Sequence, residues 1–270
     1  MIILDRKIRC YSSTGELGVI TGDTSNEIGA FKSKNIMNAE CPISLRGGKF
    51  DVEHIGAFTY IGENAMLRKV KTIGRYVYIG INAVMGMMTP DYNNAVMSMV
   101  FAPYKNAMFS NFSNLHHNSN YLSAIQRKLH DVNPKANEKI EIGNDVYIGD
   151  NTTIIPGVKI GNGAYIMPNT YIDKDIIPYS IVGGVPAKTL GMRFDEQYIE
   201  KIEAIEWWKY NPKSMKNIDY TQMSIFLKHC EVYKENNNYL NCERFSFNPL
   251  DNTIIRLNCD GTSKLLYKGW

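Results

Sequence analysis

Residues 141–178 read EIGNDVYIGDNTTIIPGVKIGNGAYIMPNTYIDKDIIP, and their spacing decides the fold. Isoleucine recurs every six residues in this stretch, at positions 142, 148, 154, 160, 166 and 172. Four residues after each isoleucine comes a small or β-branched residue, namely Val146, Thr152, Val158, Ala164, Thr170 and Ile176. A period of six fits neither an amphipathic helix nor a simple strand, whereas it fits a solenoid of short strands and corners.

The same spacing occurs earlier in the chain. Positions 55, 61, 67, 73, 79 and 85 carry Ile, Ile, Leu, Ile, Ile and Met. The pattern is broken once, at Lys71, where a small or β-branched residue would be expected. In a parallel β-helix the large aliphatic side chains fill a narrow triangular core, while glycine or asparagine adopts the corner conformations. Three hexapeptides close one coil, so each block predicts two complete coils of a mainly β protein.

These blocks divide the chain into segments. We expect an N-terminal cap with imperfect coils at 1–54, a first β-helix block at 55–90, an extruded loop at 91–141 and a second block at 142–180. A turn and a helix follow at 181–211, with Asp195 as N-cap and the helix running through Tyr210. Residues 212–270 form a C-terminal extension with one more helix near Met223 and strand-like pieces after it.

The long loop and the composition carry separate indications. A long excursion inside a regular solenoid is typical of a functional or disordered segment, and a short helix is predicted after Ser119 or Asn120.

The net charge of +3 is too small to indicate that the protein binds nucleic acid or an anionic membrane. Five scattered cysteines favour a reducing compartment and no metal site. Without a signal peptide or a transmembrane segment, the chain is expected to be cytoplasmic.

The two blocks, the loop between them, the turn IVGGVPAK at 181–188 and the helix ending IEWWKY at 205–210 carry a resemblance. They resemble the xenobiotic-acetyltransferase branch of the left-handed β-helix acyltransferases, which includes type B chloramphenicol acetyltransferases and polysaccharide O-acetyltransferases. The resemblance covers roughly residues 55 to 210. It implies a left-handed parallel β-helix, a homotrimer with active sites between neighbouring solenoids, and acetyl-CoA as co-substrate.

Acetyl transfer to a hydroxyl requires a general base and donors for the developing oxyanion. The family carries its histidine in a pattern resembling NHxxDW, for which this chain has MMTPDY at 87–92. Asp91 and Tyr92 therefore match the Asp-Trp pair, but Met88 stands at the histidine position. Three alternatives stay open: His116 or His117 is the base, the acceptor is an amine that needs no strong base, or catalysis is lost or arranged in another way.

The phosphates of CoA call for lysine and arginine. By the resemblance, the cofactor-binding residues are Ala164, Thr170, Lys174, Pro186, Lys188 and Arg193. The backbone near the first two would line the groove for the pantetheine arm, and the three cations would meet the phosphates. Tyr147 replaces the tryptophan of a VWIG motif, and it either forms an apolar wall for the thioester or is a stacked structural aromatic.

Together these features predict an acetyl-CoA-dependent acetyltransferase that acts on a carbohydrate acceptor, either a surface polysaccharide or its sugar precursor. O-acetylation is favoured. The alternatives are N-acetylation of an amino or nucleotide sugar, acetylation of an antibiotic, or a β-helix subunit that binds CoA without turnover.

Overall fold

The computed structural model describes residues 9–11, 17–21, 36–46, 48–87, 134–216, 218–236, 238–248, 253–257 and 262–268. The predicted left-handed parallel β-helix is confirmed, since short strands stack coil upon coil around one narrow core. Aliphatic side chains fill that core, among them Ile61, Ile79, Ile148 and Ile166, each fully buried. The predicted short helix after Ser119 or Asn120 lies outside the described residues.

Most strands are short, because every hexapeptide has to supply both a strand and a corner. In chain order they are β1 Arg9–Tyr11, β2 Leu17–Thr21, β3 Met37–Glu40, β4 Ile43–Leu45, β5 Gly48–Ile55, β6 Thr59–Ile61, β7 Ala65–Ile73, β8 Tyr78–Ile79, β9 Val84–Met85, β10 Ile140–Ile142, β11 Tyr147–Ile148, β12 Thr153–Ile154, β13 Lys159–Ile160, β14 Tyr165–Ile166, β15 Tyr171–Ile172, β16 Ser180–Gly183, β17 Lys188–Met192, β18 Arg244–Asn248, β19 Thr253–Leu257 and β20 Ser263–Lys268. The helices are α1 Glu196–Ile205 and α2 Met223–Glu235, and 3₁₀ turns lie at Pro134–Asn137, Trp207–Lys209 and Pro212–Met215.

Three parallel sheets form the sides of the solenoid. Face A contains β4, β6, β8, β11, β14 and β16. Face B contains the first halves of β5 and β7, followed by β9, β12 and β15. Face C contains β3, the second halves of β5 and β7, and then β10 and β13. At the C-terminal end β17 turns back antiparallel to β16 and closes face A.

The coil register continues across the interruption of the repeat. In face A, Ile61 pairs with Ile79, Ile79 with Ile148, and Ile148 with Ile166. Partners in neighbouring coils lie 18 residues apart within each block, but 69 residues apart where the chain crosses the gap. The intervening segment is therefore an insertion that leaves every core position unchanged.

The one break in the repeat, at Lys71, is a local bulge. β10 pairs Ile140 with Val70 and then Glu141 with Thr72, so that Lys71 is passed over. The Val70 side chain is buried and takes the small core position. Lys71 points outward instead, where its Nζ lies 3.4 Å from Glu141 Oε1.

Helix α1 begins after Asp195, as predicted, but the predicted continuation through Tyr210 is wrong. The helix ends at Ile205 because Glu206 takes a left-handed conformation, with φ of 52°, and donates its N–H to the Ile202 carbonyl. Ile202, Ile205 and Trp208 are buried as the apolar stripe predicts. They pack in a second cluster, shared with α2, rather than in the solenoid core.

The C-terminal residues fold back onto the first coils. β18 pairs antiparallel with β3 and extends face C, and β19 and β20 continue the sheet. Phe245, Phe247 and Ile254 enter the solenoid core from this side. No helix in the described part of the chain is long and apolar enough to cross a membrane.

The helices attach where face C turns into face A, which we call corner 1. Residues of successive coils adopt left-handed backbone there, at Phe58, Tyr76, Asp145, Gly163 and Tyr179. A Cβ on Gly163 would lie closer than 3.0 Å to ring atoms of Tyr179. The other four positions take this conformation without glycine, so it is the fully buried Tyr179 ring, together with a φ of 65°, that requires glycine at 163.

Replacement of Gly163 by alanine should lower the free energy of unfolding by about 3 kcal/mol, the sum of left-handed backbone strain and overpacking. Gly191→Ala is the matched control, because no atom would lie within 4 Å of its new Cβ. Urea unfolding followed by circular dichroism measures both variants. Equal midpoints for Gly163→Ala and wild type would contradict the packing of corner 1.

Candidate functional site

The predicted catalytic residues His116 and His117 lie outside the described residues, as do Asp91 and Tyr92 of the predicted substrate site. Their roles stay predictions. The chain enters this segment after β9 and leaves it at the 3₁₀ turn Pro134–Asn137. That turn packs on the corner between β12 and β13, because a Cβ on Gly157 would meet the side chains of Lys135 and Glu138. Lys135 Nζ also lies 3.2 Å from Asp175 Oδ1, which fixes the end of the segment to the corner between faces B and C.

Ala164 and Thr170, predicted to lie along the pantetheine arm, face the solenoid core. Both are buried, and Thr170 Oγ1 donates to the Met167 carbonyl at 2.6 Å. Their carbonyls accept coil-to-coil hydrogen bonds from Tyr147 and Thr153 at 3.0 and 2.8 Å. Neither residue presents an exposed side chain or a free carbonyl to the surface of the single chain.

The turn with Pro186 lies against the last coil of face B. Tyr171 N–H donates to the Gly184 carbonyl, and Ala187 N–H donates to the Tyr171 carbonyl. Pro186 and Lys188 are exposed in and just after this turn, and Lys174 is exposed at the neighbouring corner. Among the described residues, no ion pair involves Lys174 or Lys188.

Arg193 lies apart from this group, at corner 1. Its Nη1 donates to Asp145 Oδ2 at 3.0 Å and to the Gly163 carbonyl at 2.7 Å. Its guanidinium lies 5.8 Å from the Tyr179 ring and 5.0 Å from the Phe194 ring. Burial raises the pKa of the Asp145 carboxyl, and the Arg193 charge opposes that rise. These contacts support a structural role for Arg193, which joins the start of α1 to the coils.

Tyr147 belongs to a stack on the outside of face A, which we call the tyrosine ladder. The ladder consists of Tyr60, Tyr78, Tyr147 and Tyr165, with ring centroids 5.0, 5.1 and 4.6 Å apart and nearly parallel planes. Partial burial and the neighbouring tyrosines raise the pKa of Tyr78 and Tyr147. The stacked structural aromatic is thus present. Its sequence signal is a tyrosine before every third core residue of the repeat, a pattern that sequence reasoning missed.

A cavity of about 450 Å³ opens at corner 1, between the coils and the residues that follow α1. We call it the corner cavity, and it is lined by Arg75, Asn144, Glu206, Trp208, Lys209 and Tyr239, among others. Sequence reasoning missed it, because its walls come from three distant parts of the chain. The described residues contain no group of three or more His, Cys, Asp and Glu side chains that could hold a metal ion.

Comparison with known proteins supports the repeat directly. The family model named bacterial transferase hexapeptide (six repeats) matches residues 139–174. A chloramphenicol acetyltransferase of Morganella morganii is 46% identical over 69 residues, which cover 26% of this chain and 33% of that protein. A probable macrolide acetyltransferase of Lysinibacillus sphaericus is 50% identical over 70 residues, covering 26% of this chain and 39% of that protein.

A solved structure of a hexapeptide-repeat acetyltransferase from Vibrio cholerae, in complex with acetyl-CoA, is 25% identical with a TM-score of 0.35. The match covers 53% of this chain and 61% of that one. The chain spans between a third and two fifths of the length of the two relatives it matches. Residues 139–174 thus form a hexapeptide repeat of the kind that the bacterial transferase hexapeptide model describes.

Proposed function

We propose that the chain is an acetyl-CoA-dependent acetyltransferase with a carbohydrate acceptor, and that O-acetylation is its reaction. One observation carries the transferase part of this proposal. The hexapeptide block has the register of a complete solenoid and, over about a quarter of the chain, reaches 46% and 50% identity to proteins named acetyltransferases.

The cofactor proposal uses the exposed end of face B. The turn with Pro186 is hydrogen-bonded to Tyr171 there, Lys188 follows that turn at the start of β17, and Lys174 lies at the next corner. We assign the two ammonium groups to the phosphates of acetyl-CoA and the adjoining backbone to its pantetheine arm. When bound, acetyl-CoA supplies the thioester carbonyl that the acceptor attacks.

The base of the reaction is assigned to the segment between β9 and β10. The thioether of Met88 accepts no proton from a hydroxyl at neutral pH, so His116 or His117 is proposed as the base for O-acetylation. Asp91, Tyr92 and Tyr147 are proposed to contact the acceptor. An amino sugar would be attacked by its own free amine, and N-acetylation therefore remains the second reaction to test.

A homotrimer is part of the proposal, because it places a neighbouring solenoid beside each site. The described surface near the end of face A supports a subunit contact. Met167, Leu190 and Met192 are large apolar residues that are 40%, 60% and 42% exposed. A Cβ on Gly183 would touch both Met167 and Leu190, so that these two form one patch, and such patches favour burial against another chain.

We place the enzyme in the cytoplasm.

An antibiotic is the second candidate acceptor, since the relatives are named for chloramphenicol and macrolides. Turnover of those compounds would favour it over a sugar. Affinity for CoA without turnover on any acceptor would instead favour a β-helix subunit that binds CoA and does not catalyse.

Acetyl-CoA turnover tests the function. CoA release is followed with a thiol reagent across hydroxyl sugars, amino sugars, chloramphenicol and a macrolide. We expect release with a hydroxyl sugar, and a loss of about 100-fold or more in kcat when the residue acting as base, His116 or His117, is changed to alanine. Release with amino sugars that survives both substitutions would show N-acetylation, and release with the antibiotics alone would contradict the carbohydrate proposal.

Lys188→Ala should raise the KM for acetyl-CoA by about tenfold while leaving kcat close to wild type, because one charge-assisted hydrogen bond to phosphate is lost. Lys228→Ala is the control, an exposed lysine of α2 on another part of the surface. Steady-state kinetics with varied acetyl-CoA measures the change. An unchanged KM for Lys188→Ala would remove this residue from the cofactor site.

A further inference from the structure

We propose that the corner cavity binds a neutral sugar residue, at a site separate from acetyl transfer. The cavity holds about 450 Å³, a volume within the range of small-molecule sites. It lies at corner 1, whereas Pro186 and Lys188 lie at the end of face B against Tyr171. An aromatic wall and paired charges in the cavity point to its ligand.

Tyr239 provides the aromatic wall. Its ring stacks on the buried Tyr210 ring, with centroids 5.7 Å apart, and half of Tyr239 remains exposed, at 52%. The backbone holds this wall in place, because Leu240 N–H donates to the Lys209 carbonyl at 2.7 Å and Asn211 N–H donates to the Asn238 carbonyl at 3.0 Å. A fixed ring with one covered side offers a platform to the C–H face of a pyranose.

The charges of the cavity are already paired. Arg75 donates from Nε and Nη2 to the two carboxylate oxygens of Glu40, at 2.6 and 3.0 Å, and from Nη1 to the Trp208 carbonyl at 3.3 Å. Lys209 forms an ion pair with Glu206. With a carboxylate beside each cation, the cavity has no uncompensated positive charge for a phosphate. An uncharged ligand is therefore favoured.

The polar side chains of the corner cavity can form hydrogen bonds with two adjacent hydroxyls of a sugar. Glu206 and Lys209 are about half exposed, at 44% and 49%, so that both remain accessible to a ligand. One hydroxyl of a vicinal diol can donate to the carboxylate while its neighbour accepts from the ammonium. Asn144 adds an amide on the wall formed by the coils, where its Nδ2 also donates to Asn162 Oδ1 at 3.1 Å.

The left-handed backbone conformation of Glu206 places its side chain on the wall of the corner cavity. A non-glycine residue in that conformation carries strain, and here the residue also ends α1. If the proposed function holds, a sugar bound in the corner cavity gives a polymeric acceptor a second attachment and raises its effective concentration at the transfer site. Sugar binding itself does not depend on acetyl transfer.

Saturation-transfer NMR tests the site on the full chain without acetyl-CoA. The probes are the methyl glycopyranosides of glucose, galactose and mannose, with uridine and inorganic phosphate for comparison. We expect at least one hexoside to bind with a Kd on the order of 1 mM, as its size allows. Tyr239→Ala and Glu206→Gln should each weaken it by about tenfold or more, whereas Tyr239→Phe should stay within about threefold of wild type.

Tyr220→Ala is the control, a tyrosine that is 64% exposed and lies outside the cavity, and it should leave hexoside binding unchanged. Thermal melts identify any variant that fails to fold. If Tyr239→Ala does not fold, Glu206→Gln decides, because it keeps the shape of the side chain. The absence of hexoside binding, binding unaffected by the cavity variants, or preference for uridine or phosphate would overturn the proposal.

Discussion

Hydrogen bonding between neighbouring coils is the constraint on which the rest of the structure depends. A single coil buries none of its aliphatic side chains on its own, so each must stack on the next in register. Gly62 N–H donates to the Ile79 carbonyl, and Gly80 N–H donates to the Ile148 carbonyl, both at 2.8 Å. A slip of one residue would turn the aliphatic side chains outward. Because the register is held on both sides of residues 88–133, this segment can vary without changing the core.

Two arginines connect the helical part of the chain to the coils at corner 1. Arg75 joins Glu40 of β3 to the Trp208 carbonyl, and Arg193, three residues before α1, contacts Asp145 and the Gly163 carbonyl. Burial alone would raise the pKa of the Glu40 carboxyl, but the hydrogen bonds and charge of Arg75 outweigh it and hold that pKa below its ordinary value. Both arginines thus hold the helical part of the chain on the coils, and Arg75 also lines the corner cavity.

The repeat could be predicted from the sequence because an aliphatic residue recurs at every sixth position, and each of these positions is a core position. The end of α1 could not, since Glu206 stands where glycine would ordinarily mark a left-handed cap. The structural contacts of Arg193 were equally hidden, because they join residues 30 and 48 positions away. Of the predicted site, the turn with Pro186 lies against Tyr171, the residue after Thr170, whereas His116 and His117 lie outside the described residues.

The coil register is continuous without residues 88–133, and the proposed function assigns the chemistry to these residues. A variant in which a short Gly-Ser linker joins Met87 to Pro134 tests both parts, with unfolding measured by circular dichroism and acetyl transfer measured by CoA release. The account predicts one cooperative unfolding transition with strand content preserved, and no turnover. Loss of the folded state would contradict the continuous register, and turnover at the wild-type rate would contradict the assignment of catalysis to that segment.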